Sequence, residues 1–136
     1  LIITKNKKMN KLFTIISGVF ILMSSCDIGQ NQNDISIKEL KNKIASDNYI
    51  LLDVRTSEEY NNGHLKGSIN IDYFSDDFSD EISSLGLESP ILVYCRSGNR
   101  SGKAMNIMYD LGFKEVKNLI GGYKSWISGE NLIIKE

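Results

Sequence analysis

Residues 90–112, PILVYCRSGNRSGKAMNIMYDLG, decide how the rest of the chain is read. Positions 90–94 are a short apolar run without polar alternation, as expected of a strand buried on both faces. The run ends at Cys95. From Ser101 to Leu111, Ala104, Met105, Met108 and Leu111 share one helical face, and Gly112 supplies the stop. The stretch therefore predicts strand, tight loop and helix, with a cysteine at the carboxyl end of the strand. A cysteine used only for packing would have apolar neighbours. Cys95 is followed instead by Arg96, Ser97, Gly98, Asn99, Arg100 and Ser101.

The same alternation extends outward. Upstream, Ser36 and Glu39 have capping-box spacing, with Ile35 and Leu40 placed as a hydrophobic staple, and predict a helix over 36–46. YILLDV (49–54) reads as a second buried strand. Thr56 and Glu59 make another capping box before a stop at Gly63. SINI (68–71) predicts a further strand. Residues 72–89 are acidic and serine-rich, with a short helix expected near 76–85 anchored by Phe74, Phe78, Ile82, Leu85 and Leu87. Downstream, KEVKNL predicts a strand around Val116 and GGYKSWISG a helix over 123–128. NLIIK reads as a tail strand or packed extension. Apolar strands alternating with helices predict an α/β fold, a central parallel sheet with helices on both faces. Ligands meet such sheets at the carboxyl ends of the strands, where Cys95 stands.

The nucleophile in cysteine chemistry is the thiolate, and a free thiol has a pKa near 8.5. Three sources of anion stabilisation are legible beside Cys95. A helix starting near Arg100 or Ser101 points unpaired N–H groups at the loop. Gly98 and its small neighbours allow successive N–H groups to turn inward. Arg96 and Arg100 add positive charge.

The 136 residues suffice for one domain, with 41% apolar and 24% charged residues. Net charge is −1. Residues 1–25 hold four lysines and no acid, which leaves 12 basic against 17 acidic residues in the remainder. That balance excludes a general nucleic-acid binder. The lysines precede an apolar run from Leu12 to Met23, too short to span a bilayer, and then MSSC. A basic start, a short apolar stretch and small residues describe a secretory signal over 1–25. MSSC resembles the lipobox of bacterial lipoproteins, which implies lipid on Cys26 and anchoring to a membrane surface at the cell envelope, on the periplasmic face. Residues 26–35 then read as anchor and tether, and 36–136 as the domain. With Cys26 lipidated, Cys95 is the single free thiol of an exported protein.

LLDVRTSEEYNNGHLKGSINI (51–71), VYCRSGNRS (93–101) and LGFKEVKNLIGGYKSW (111–126) together resemble the single-domain rhodaneses in order and spacing. The resemblance implies a three-layer α/β domain and no metal or organic cofactor. It also implies that Cys95 accepts a sulfane sulfur from thiosulfate, a polysulfide or a persulfide and yields it to a thiol or cyanide. Arg96 to Ser101 would hold the persulfide anion. Asp53, Arg55 and Glu59 match the family's acidic and basic positions and are read as structural, with an Arg55–Glu59 ion pair expected at the turn. Gly63, His64, Gly67 and Asn70 match a supporting turn. Lys66 and Ser68 replace the family's common proline and alanine there. His64, the single histidine, reads as a hydrogen-bonded structural residue and cannot build a metal cluster. Gly121, Gly122 and Trp126 read as helix start and core packing. Three rivals remain. A cysteine phosphatase needs five residues between cysteine and arginine, and Cys95 and Arg100 have four. A thiol–disulfide oxidoreductase would carry C-x-x-C, absent here. The third is an idle binding module of the same fold.

Overall fold

The computed structural model describes residues 31–46, 48–129, 131, 133 and 134. The signal segment, Cys26 and the start of the tether lie outside the described residues. In chain order the elements are β1 (Asp34–Ile35), α1 (Ile37–Ile44), β2 (Ile50–Asp53), α2 (Ser57–Asn61), β3 (His64–Leu65) and β4 (Ile69–Asn70). There follow α3 (Phe78–Ser83), β5 (Ile91–Tyr94), α4 (Asn99–Leu111), β6 (Val116–Leu119), α5 (Gly122–Ser128) and β7 (Ile133–Ile134).

Five strands form one parallel sheet in the order β1-β6-β5-β2-β4. Strand residues divide between its faces with period two. Leu52, Val54, Ile91, Val93, Cys95 and Val116 face α3 and α4, whose Phe78, Ile82, Ala104, Met105 and Met108 complete that core. Leu51, Leu92, Tyr94 and Leu119 face α1 and α5, against Leu40 and Trp126. Each fully buried Leu, Ile or Val contributes about 1.5–3 kcal/mol of hydrophobic stabilisation. In β2 and β5, two apolar faces leave no polar alternation in the sequence, as expected.

Both capping boxes form. Ser36 and Thr56 accept from the N–H groups of Glu39 and Glu59, whose carboxylates bond back to the cap residues. Three expectations change. Asp34–Ile35, assigned to the tether, is the edge strand β1, because its backbone finds open partners along β6. Residues 64–65, read as turn, form β3 and pair antiparallel with the tail strand β7 in a separate two-stranded sheet. Leu111, placed on the buried face of α4, is 37% exposed at the helix end, and Phe74 and Leu87 also lie exposed rather than anchoring their segment.

The chain runs from β2 out to β4 and returns to β5 on the other side of β2. The carboxyl ends of β2 and β5 thus flank the crevice where an open parallel sheet reverses its winding. No helix among the described residues is long and apolar enough to cross a membrane.

Candidate active site

Cys95 follows β5 directly and is buried beneath the first turn of α4. The chain must turn from strand to helix within four residues, Cys95 to Gly98. Gly98 makes this possible with φ +100°, a left-handed conformation that side chains resist. In that conformation the Gly98 N–H donates to Cys95 Sγ at 3.1 Å. The Ser101 hydroxyl, in the first turn of α4, donates to the same sulfur at 3.3 Å. Burial pushes the thiol up. The Ser101 hydroxyl and the N–H groups of Ser101, Ser97 and Gly98 outweigh it and hold the thiol below its ordinary value. The helix begins at Asn99, slightly earlier than expected, which brings the Ser101 N–H of its first turn to the sulfur beside the loop N–H groups.

The outer side of the loop is gripped by α5. The Tyr123 N–H donates to Cys95 O at 2.8 Å, and the Lys124 N–H to Arg96 O at 3.0 Å. Gly122 lies at this approach with φ +55°, and a Cβ there would stand 2.3 Å from Cys95 O. By sequence, Gly121 and Gly122 imply only a helix start and core packing. The adjacent glycines were the available signal for a backbone-to-backbone clamp on the cysteine loop.

The arginines behave differently from expectation. Arg100 does not hydrogen-bond the sulfur. Its guanidinium makes a two-pronged pair with Glu59, at 2.7 and 2.8 Å. That pair holds the Glu59 carboxyl down at about 2, against burial and with help from Thr56. Arg100 feels the Cys95 charge only as a weaker influence beside Glu59. Arg96, the residue after Cys95, is exposed and makes no ion pair among the described residues. The nearest stabilisers of the sulfur are therefore N–H groups and a hydroxyl, not guanidinium groups.

The expected Arg55–Glu59 pair does not form. Residues 53 and 55 share one face of an extended chain, so Arg55 turns onto Asp53 at 2.7 Å. Glu59 sits beyond the helix cap and faces Arg100. Arg55 also donates to Gly63 O at 2.7 Å and lies 4.1 Å over the Tyr123 ring. Asn70 ties β4 to this end of β2 by donating to Asp53 O and Arg55 O. Tyr94 accepts from Leu65 N and pairs with the Ser68 hydroxyl. Burial, and then the Asp53 carboxylate, push its phenol well above the ordinary value. His64 is buried, stacks on Tyr60 at 3.7 Å and donates from Nδ1 to Tyr60 O. It does not reach Cys95. Among the described residues, no group of His, Cys, Asp and Glu is arranged to share a metal ion.

Beside the loop, between α2 and α5, opens a cleft of about 430 Å³ whose walls include Arg55, Glu59, Arg96 and Tyr123.

A family model described as Rhodanese-like domain matches residues 36–128. Thiosulfate sulfurtransferase 16, chloroplastic, of Arabidopsis thaliana is 41% identical over 85 residues, covering 55% of this chain and 71% of that protein. Thiosulfate sulfurtransferase 18 of the same organism is 38% identical over 88 residues, covering 56% of this chain and 65% of that protein. Part of each relative thus lies outside the match. The crystal structure of a rhodanese-related protein from Thermoplasma volcanium superposes with a TM-score of 0.68 at 29% identity, covering 76% of this chain and 99% of that one.

Proposed function

Because the chain belongs to the rhodanese-like domain family, we propose that it is a sulfurtransferase that carries sulfur as a persulfide on Cys95. The observation that supports this most directly is the pair of donors, Ser101 hydroxyl and Gly98 N–H, aimed at one buried sulfur. Such a cradle favours the thiolate and then favours the persulfide anion that replaces it.

In the first half-reaction the Cys95 thiolate attacks the outer sulfur of thiosulfate. The sulfur–sulfur bond of thiosulfate breaks, its electron pair leaves with sulfite, and Cys95–S–S⁻ remains. A polysulfide or a persulfide serves as donor in the same way, with a thiolate leaving. In the second half-reaction cyanide or a thiolate attacks the outer sulfur, and the electron pair of the broken bond returns to Cys95. Charge balances in both halves without a redox partner. The N–H groups of the loop hold the charge throughout, while the Glu59–Arg100 pair and the α5 clamp keep the loop in shape. Asp53, Arg55 and His64 support the surrounding chain.

The test is thiocyanate formation from thiosulfate and cyanide. Activity is expected in the unaltered protein and only background in Cys95→Ser, with a mass increase of one sulfur on Cys95 after donor treatment. Without that increase the fold serves as an idle binding module. Phosphate release from an aryl phosphate would point instead to a cysteine phosphatase.

The reading extends to the whole chain. Residues 1–25 direct export in a bacterial cell, Cys26 carries lipid, and a short tether places the domain of residues 36–136 at the periplasmic membrane surface. Expression in bacteria should put the protein in the detergent phase, and Cys26→Ala should move it to the aqueous phase.

A further inference from the structure

The cleft between α2 and α5 is larger than the proposed chemistry at Cys95 requires. A volume of about 430 Å³ suits an organic ligand of many atoms, and thiosulfate has five. The charges around it are unequally committed. Arg55 is bonded to Asp53, and Glu59 to Arg100. Arg96 and Lys124 line the same cleft, are exposed, and form no ion pair among the described residues. The net result is two uncommitted positive charges at the opening. Tyr123 and Ile127, the latter 45% exposed, give the cleft an apolar wall. The cleft is also fixed to the reactive loop. Arg96 is the residue after Cys95, and the Tyr123 and Lys124 N–H groups bind the carbonyls of Cys95 and Arg96.

Resting on the sulfur-transfer reading, we propose that this cleft is the acceptor subsite and selects a thiol that carries carboxylates on a short carbon skeleton. Its carboxylates meet Arg96 and Lys124, and its carbon chain lies along Tyr123 and Ile127. Its sulfur reaches the mouth of the loop. There the acceptor thiolate bonds to the outer sulfur of Cys95–S–S⁻. The old sulfur–sulfur bond breaks, its electron pair returns to Cys95, and the acceptor leaves as a persulfide. A small anion would use the two charges and leave the apolar wall empty.

The experiment loads the full chain with thiosulfate, verifies the persulfide by mass, and follows its discharge in single turnovers. Mercaptosuccinate, with two carboxylates, is compared with uncharged 2-mercaptoethanol, each across a concentration series. Lys124→Glu is expected to raise the half-saturating concentration of mercaptosuccinate roughly three- to tenfold, the range of one or two exposed ion-pair interactions. That of 2-mercaptoethanol is expected to change less than about twofold. Ile127→Ser, at an exposed position, is expected to weaken mercaptosuccinate by about twofold. Equal changes for both thiols, or none, would overturn the proposal. So would an effect confined to the thiosulfate concentration needed for loading, which would assign the cleft to the donor. If the unaltered protein never loads, the sulfur-transfer reading fails and takes this one with it. Loading with unchanged acceptor selectivity removes the cleft alone.

Discussion

The carboxyl ends of β5 and β2 lie side by side in the sheet, and each places a polar group in the interior. They do opposite things with it. At the end of β2, Asp53 is fully buried and its carboxylate receives the Arg55 backbone N–H and the Arg55 guanidinium. Arg55 in turn reaches Gly63 O and stacks on Tyr123. The result is a fixed joint between strand, helix and β3. At the end of β5, Cys95 faces the other side of the sheet, beneath the start of α4, and its sulfur receives the Gly98 N–H and the Ser101 hydroxyl. The sulfur is a weak acceptor, so the cradle retains capacity for a further anion. Burial and polarity are common to both regions. Unused donor capacity separates a reactive centre from a structural one.

The largest test of this contrast is Arg55→Ala. It leaves a buried carboxylate without its partner and should lower stability by about 3–5 kcal/mol in urea unfolding. Whatever remains folded should titrate at Cys95 as the unaltered protein does. A shifted thiol titration would show that the two regions are coupled, not separate.

A smaller effect is expected from Ser101→Ala, which removes the one side-chain donor to the sulfur among the described residues. The midpoint of iodoacetamide alkylation against pH should move up, since less of the anion is stabilised. Sulfur uptake at pH 7 should slow roughly tenfold, in line with a hydrogen bond to a charged group. An unchanged midpoint would mean that backbone N–H groups alone set the acidity.

The smallest is Glu59→Gln. Glu59 is held at about 2 against its ordinary 4.5, so its charge favours the folded state above pH 4.5. That contribution is lost as pH falls from 4.5 towards 2. Because the pair is partly exposed, it should amount to at most about 1 kcal/mol. Urea midpoints across that range should therefore be flatter in the variant. A variant as acid-sensitive as the unaltered protein would assign the acid transition to other carboxylates.

Much of this was legible in advance where the signal is local. Capping boxes at Ser36 and Thr56 rest on residues three apart, and both form. The apolar runs of β2 and β5 appear where expected because burial on both faces leaves a continuous apolar segment. Gly112 ends α4 with a left-handed cap. Illegible were the contacts between distant segments. β1 is two residues long and acquires strand character only from β6, over eighty residues later. β3 depends on β7 in the same way. Glu59 meets Arg100 across 41 residues, and nothing near either one names its partner.

The sequence alone determined that strands and helices alternate, that β2 and β5 are buried on both faces, and that a cysteine stands at the end of β5 beside a helix start. Periodicity, caps and glycines act within a few residues, so a linear reading captures them. Only the tertiary structure decided which donors reach the sulfur, which charge each arginine answers, and that α5 grips the loop from outside. Those outcomes depend on which side chains and backbone groups converge once the sheet order is set, because hydrogen bonds and ion pairs act over about 3 Å in space whatever the separation along the chain.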